Sequence, residues 1–107
     1  MIRSVLTLRP LTGKSEEIVR FYQSNRVLEL AAEQDGCLGA ELQMPTDGEG
    51  DVLVTALWRD VDAYRGWLEN PERAESANRL SQLVEGGFDS GVSGSLYQIL
   101  IAAEPPL

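Results

Sequence analysis

The segment most informative about the fold, called the deciding stretch below, is Trp58-Arg59-Asp60-Val61-Asp62-Ala63-Tyr64-Arg65-Gly66-Trp67-Leu68. It begins where an apolar run ends and passes directly into a helical pattern, in which Val61, Tyr64 and Leu68 share one face. Asp60 is a candidate N-cap of this helix, because its carboxylate can accept the first unpaired backbone N–H groups. Two Trp and one Tyr lie close together here, in a chain with only 7% aromatic residues. Such a cluster at a strand–helix junction predicts a flat pocket wall.

Before this stretch, the sequence predicts a strand, one long helix and two further strands. Period-two alternation and turn residues mark the strands, and a cap followed by a glycine stop marks the helix. The helix is expected to run for about 20 residues, which is long for a small domain. The expected elements are a strand at Ile2–Arg9 stopped by Pro10, a helix from the Thr12-Gly13 cap to Gly36, and strands at Cys37–Met44 and Asp51–Arg59.

After the stretch, the sequence predicts a second helical piece and a last strand. Asn70-Pro71 should end or kink the first helix, because proline cannot continue it. The second piece is expected from Glu72 to about Glu85, and the strand at Ser95–Ala103. The order β-α-β-β-α-β predicts an α+β, ferredoxin-like fold, with helices on one face of a four-stranded antiparallel sheet. At 107 residues, we expect a single domain covering 1–107.

The third strand is apolar on both faces. Val52, Val54, Ala56 and Trp58 line one face, and Leu53 and Leu57 line the other. A strand of this kind is usually covered on both sides, and the helices cover only one. We therefore expect a homodimer in which a second copy's sheet covers the other face.

The charge balance narrows the class of partner. The net charge is −8 and the sequence pI is about 4.4, which argues against nucleic acid and anionic membrane surfaces as partners. It favours neutral ligands held by apolar contact, and we expect a small aromatic or hydrophobic ligand. Because no apolar run approaches a membrane span of about 20 residues and no signal core is visible, we expect a cytoplasmic protein.

The chain contains no histidine and one cysteine. This composition argues against zinc and copper sites, Ser-His-Asp or Cys-His catalysis and His-ligated haem, so we expect neither metal nor cofactor. Any general acid or base would then have to be a carboxylate, Tyr, Lys or Arg-assisted water.

Four short motifs stand in this order of elements: the Gly13 helix start, Asp35-Gly36-Cys37-Leu38-Gly39, Leu57-Trp58-Arg59-Asp60 and Trp67-Leu68-Glu69-Asn70. With these motifs the chain resembles the antibiotic-biosynthesis-monooxygenase family of dimeric α+β barrels, from Ile2 to about Ile101. The family includes cofactor-free oxygenases acting on anthrone- or quinol-like aromatics, haem-degrading enzymes and members of unknown role. The resemblance implies dimers packed sheet to sheet, with a pocket between sheet and helices.

The resemblance favours the anthrone-oxidising members over the haem-degrading ones. The anthrone-oxidising members place a Trp at the end of the third strand and a Tyr shortly after it, and Trp58 and Tyr64 match this pair. Those members also place an Asn just before the Trp, and this position falls near Val54 here. The haem-degrading members carry an axial His on the following helix and an Asn in the first strand. Here residues 74–79 contain no His and Ser4 stands in the first strand.

The resemblance therefore implies a cofactor-independent monooxygenase acting on a small polycyclic aromatic. In this reading the Trp rings stack on the substrate, Tyr64 donates a hydrogen bond to a substrate oxygen, and an Arg stabilises developing negative charge. The alternatives are a packed core without a site, a non-catalytic binder or stress-associated dimer of the same fold, and a haem-degrading enzyme. The expected catalytic residues are Tyr64, Trp58 and Arg79, and the expected substrate-binding residues are Trp67, Arg65 and Asn78.

Overall fold

The computed structural model describes residues 1–87 and 92–106. Its four strands form one antiparallel sheet in the order β2-β3-β1-β4, which is the ferredoxin-like arrangement and confirms the predicted fold class. The elements are β1 (Ile2–Leu8), α1 (Ser15–Ser24), α2 (Val27–Ala32), β2 (Cys37–Gln43), β3 (Val52–Trp58), α3 (Val61–Leu68), α4 (Pro71–Leu80), a 3₁₀ turn (Ser81–Leu83) and β4 (Val92–Gln98).

The prediction of one long first helix is wrong, because the chain breaks between α1 and α2. Arg26 adopts the left-handed conformation, with φ of 52°, which a helix cannot contain. The Asn25 side chain donates to the Phe21 carbonyl at 2.9 Å and so competes with the next helical turn. The expected Thr12-Gly13 cap is also wrong, since α1 follows Lys14 without a side-chain cap. The break turns α2 against β2.

The predicted boundaries around α3 are confirmed, and the end of α4 comes earlier than expected. The Asp60 carboxylate caps α3 by accepting from the Ala63 N–H at 2.9 Å. Asn70 caps α4, whose first residue is Pro71. α4 ends at Leu80 rather than near Glu85, because the next residues tighten into a 3₁₀ turn and then pair with the segment after β1.

The last strand begins three residues earlier and ends five residues earlier than predicted. β4 pairs with β1 from Val92 opposite Leu8 to Gln98 opposite Ile2, and one further backbone bond follows, from the Ile99 N–H to the Met1 carbonyl at 3.1 Å. The chain leaves the sheet after this bond, and Leu100 and Ile101 are 81% and 92% exposed. Of the loop predicted at 88–94, residues 88–91 lie outside the described residues.

The core lies between the sheet and the helices, in two clusters. One gathers around Leu8 and Val52 near one end of the sheet, and the other around Ile2 and Trp58 near the opposite end. Trp67 packs against both clusters. The space between them forms the pocket described below.

No helix among the described elements covers the outer face of the sheet. This face carries both apolar and charged side chains. β3 presents Leu53 and Leu57 there, both half-buried, as its two-sided pattern predicted. Its neighbours bring Val5 together with the charged Arg3 and Glu41. No helix in the described ranges is long and apolar enough to cross a membrane.

Candidate active-site pocket

A pocket opens between the helix-facing side of the sheet and the helices. Its empty volume, which includes open solvent at the mouth, is about 740 Å³. The lining is mostly apolar, with side chains from β1 and β3 on the sheet side and from all four α-helices opposite. Its aromatic members are Phe21, Tyr22, Trp58, Tyr64 and Trp67.

Trp58 forms a fixed wall of this pocket. It ends β3, opposite Ile2 of β1 and Cys37 of β2, and is 0% exposed. Its indole Nε1–H donates to the Ser4 hydroxyl at 3.0 Å across the sheet. Because a buried indole N–H requires a partner, this bond fixes the orientation of the ring as well as its depth.

α3 brings the other two aromatic residues of the deciding stretch to the same pocket. The Tyr64 ring meets Trp58 edge to face, with 5.7 Å between the ring centroids and an interplanar angle of 66°. Trp67 follows one turn later, and both side chains are half-buried. The structure therefore places Trp58, Tyr64 and Trp67 together on one pocket, while their role in a reaction stays a prediction.

The three other expected site residues lie away from the lining. Arg65 is exposed and pairs with Asp62, its Nη1 3.4 Å from that carboxylate. Arg79 is exposed, donates to Asn25 and sits 5.6 Å above the Phe21 ring. Asn78 is exposed as well.

The orientation of α4 explains why Asn78 and Arg79 lie outside the lining. The helix turns Arg73, Ser76, Ala77 and Leu80 toward the pocket, and this spacing of three and four residues defines a single helical face. Residues 78 and 79 fall outside that face, so their side chains reach solvent or the end of α1.

Among the polar lining residues that sequence reasoning did not single out, Tyr22 and Arg73 have distinctive chemistry. Tyr22, on α1, is 5% exposed, and its burial raises the pKa of the hydroxyl to about 12, opposed by the charge of Arg73. Arg73 is half-buried at the pocket side of α4. Helical spacing in the sequence already indicates that both side chains face inward. Tyr22 lies four residues after Ile18, and Arg73 lies four residues before Ala77, within the apolar stripes of their helices.

The pocket therefore differs in charge from the chain around it. Arg73 is its cation, and the lining residues in the described ranges include no Asp, Glu, Lys or His. Within the same ranges, no three His, Cys, Asp or Glu side chains come together as a metal site would require. The electrostatics favour a neutral or anionic aromatic ligand over a cationic one.

Comparison with known proteins agrees with this architecture. The sequence profile described as antibiotic biosynthesis monooxygenase matches residues 1–79. No curated protein matches the sequence.

Three solved structures share the fold over nearly the whole chain. The ActVA-Orf6 monooxygenase of Streptomyces coelicolor, in complex with nanaomycin D, has a TM-score of 0.79 at 25% identity, covering 98% of this chain and 92% of that one. A variant of SnoaB, a cofactor-independent oxygenase from Streptomyces nogalater, gives 0.77 at 20% identity and covers 94% of each chain. Rv0793 from Mycobacterium tuberculosis gives 0.78 at 14% identity, covering 96% of this chain and 98% of that one.

Proposed function

The chain belongs to the antibiotic biosynthesis monooxygenase family, and we propose that it is a cofactor-independent monooxygenase that oxidises a small polycyclic aromatic of the anthrone or quinol type with O₂. The observation that carries the proposal is the convergence of Trp58, Tyr64 and Trp67 on one apolar pocket between sheet and helices. The names of ActVA-Orf6, a monooxygenase, and SnoaB, a cofactor-independent oxygenase, support the reaction class.

The chemistry requires little of the protein beyond binding and electrostatics. An anthrone that loses a proton becomes an electron-rich carbanion, which can itself reduce O₂. One oxygen atom becomes the new carbonyl oxygen, and the other leaves as water with the two methylene hydrogens. The substrate loses four electrons and O₂ gains four, so no external reductant enters. The protein must hold the anion away from bulk water and stabilise its charge.

The residues of the deciding stretch suit these tasks. Trp58, fixed by its bond to Ser4, offers a rigid face on which a polycyclic ring can stack, and Trp67 extends the wall. The Tyr64 hydroxyl donates a hydrogen bond to the substrate oxygen on which charge grows. The edge-to-face contact with Trp58 holds the Tyr64 ring in place.

The test is oxygen consumption over a panel of anthrones and hydroquinones, without added metal, flavin or nicotinamide. Removing one donor to a developing oxyanion lowers turnover by about 10²-fold or more, and we expect a loss of that order for Tyr64→Phe. Tyr97→Phe is the matched control, because Tyr97 is 58% exposed and lies outside the lining. Circular dichroism checks the fold of both variants.

Two results would count against the proposal in different ways. Wild-type protein no faster than buffer across the panel would reject the oxygenase. Equal rates for wild type and Tyr64→Phe would keep the reaction and remove Tyr64 from it.

A non-catalytic binder of aromatic molecules is the second candidate. It is favoured by the lack of His, Asp, Glu and Lys among the described lining residues, which leaves no ordinary general base facing a substrate. This function predicts saturable quenching of tryptophan fluorescence by an anthraquinone, with no oxygen consumption on any anthrone in the panel.

We also propose that two copies pair through the outer faces of their sheets. On this face Leu53 and Leu57 flank Thr55, which lies opposite Val5, and no helix among the described elements covers them. An isologous pair would bury Leu53, Leu57 and Val5 against the other copy, with Glu41 on the edge strand β2 and Arg3 beside Leu57.

A further inference from the structure

We propose that the pocket selects aromatic ligands carrying an ionised oxygen, a carboxylate or a phenolate, and that this oxygen binds between the Tyr22 hydroxyl and the Arg73 guanidinium. The inference deepens the proposed function by naming the charge of its substrate. The inference rests on the proposed function only because both use the same pocket. A binding measurement without turnover can test it.

The first observation is a hydroxyl that lines the pocket and makes no hydrogen bond within residues 1–87 and 92–106. The Tyr22 residue is 5% exposed. Its hydroxyl is nevertheless not among the fully buried atoms that lack a partner in the described residues, where Gln43 Oε1 is found. The hydroxyl is therefore open to the pocket, and a ligand oxygen there can accept its hydrogen bond.

The second observation is a cation that lines the same pocket. Arg73 lines the pocket and is half-buried, and no carboxylate in the described part of the chain lies within ion-pair distance of it. Most other cationic side chains form ion pairs with an acidic residue; these are Arg9, Lys14, Arg20, Arg59 and Arg65.

The two groups act on one another across the pocket. The charge of Arg73 lowers the pKa of the Tyr22 hydroxyl, while burial raises it more strongly, to about 12. Tyr22 therefore remains a protonated donor throughout the neutral range. Together the pair presents an O–H donor and a permanent positive charge, which is the recognition chemistry of an anionic oxygen.

The acidic character of the whole chain does not cancel this preference. The net charge of −8 is carried mainly on exposed side chains. Exposed charges more than about 8 Å away are largely screened at physiological salt. Arg73 faces the pocket itself, where contact with the ligand displaces water and strengthens the local interaction.

This preference has a consequence for the proposed reaction. The ionised form of a phenol or anthrone is the form that reduces O₂. A donor and a cation at its oxygen lower the pKa of the bound substrate. The pair thereby compensates for the missing general base in the described lining, because the substrate can enter already ionised.

The experiment compares two ligands of nearly equal shape, naphthalene-2-carboxylate and naphthalene-2-carboxamide, by isothermal titration calorimetry at neutral pH. Wild-type protein should bind the carboxylate about tenfold more tightly, since hydrogen bonds to charged groups are the stronger kind. Arg73→Gln should abolish this difference while changing carboxamide affinity less than about twofold. Tyr22→Phe should weaken carboxylate binding about three- to tenfold.

Arg20→Gln is the matched control, because it removes the same charge from an exposed site outside the lining. It should leave both affinities unchanged, and circular dichroism checks the fold of all variants. The proposal is overturned if wild type binds the two ligands equally or binds neither, or if Arg73→Gln weakens both alike. Because the titration needs no O₂ turnover, a protein that prefers the carboxylate but oxidises no anthrone would reject the oxygenase and keep this site.

Discussion

Replacing Gly36 by alanine tests how tightly the start of β2 is packed against α3. Gly36 has φ of +85°, and a Cβ built there lies 2.5 Å from the Cβ of Ala63 and 3.3 Å from the guanidinium carbon of Arg59. The Arg59 side chain can move, but Ala63 has no rotatable side chain and precedes Tyr64 in α3. The Gly36 carbonyl also accepts from the Arg59 N–H at 2.8 Å, which holds the two segments together.

Gly13 provides a matched control for the magnitude. Its φ is +77°, yet a Cβ there meets nothing within 4 Å. Both alanine variants carry the left-handed penalty of about 1–2 kcal/mol. Only Gly36→Ala adds an overpacking cost of about 1–3 kcal/mol, because carbon atoms prefer separations near 3.5–4.0 Å. We expect losses of about 1–2 kcal/mol for Gly13→Ala and about 2–5 kcal/mol for Gly36→Ala.

Urea unfolding followed by circular dichroism measures both free energies of unfolding. With a total stability of about 5–15 kcal/mol for such a domain, either loss is resolvable. Because the clash displaces α3, Gly36→Ala should also weaken binding of an aromatic ligand in the pocket, whereas Gly13→Ala should not. Equal destabilisation of the two variants, within about 0.5 kcal/mol, would refute the packing argument.

Three further perturbations address the site and its surroundings. Ser4→Ala should lower the free energy of unfolding by about 1–3 kcal/mol in urea titrations, because the buried Trp58 indole loses its acceptor, and an unchanged midpoint would show that the bond contributes nothing. Asp60→Ala should destabilise the protein most at neutral pH. The hydrogen bond from the Ala63 N–H holds the pKa of the Asp60 carboxyl below its ordinary 3.8. The carboxylate therefore stabilises the fold fully above pH 3.8, and this stabilisation is lost as the pH falls through the folded pKa. An Asp60→Ala variant that is just as destabilised at pH well below 3.8 as at neutral pH would contradict this. Leu57→Glu should convert the proposed dimer to monomer in light scattering at micromolar concentration, and a wild-type protein that is already monomeric would reject the sheet-to-sheet pairing.

The kinds of element, their order and one wall of the pocket follow from the sequence alone. These features are local, because periodicity, caps and proline breaks involve residues within about one or two helical turns of each other. Asp60, Asn70 and Pro71 set the ends of α3 and α4 as their side chains predict. Trp58, Tyr64 and Trp67 reach one pocket because a strand and the helix capped at its end place them there.

Which residues from distant parts of the chain meet is known only from the assembled structure. Tyr22 and Arg73 lie on α1 and α4, and nothing in either helix alone shows that the other faces it across the pocket. The register of β4 depended on where β1 begins, and local alternation carries no information on that. The left-handed turn at Arg26 ran against the helical pattern around it, because packing α2 on β2 outweighs a local preference of about 1 kcal/mol. Contacts between distant segments are set by the balance of packing and backbone geometry over the whole chain, so they emerge only when all the elements are assembled.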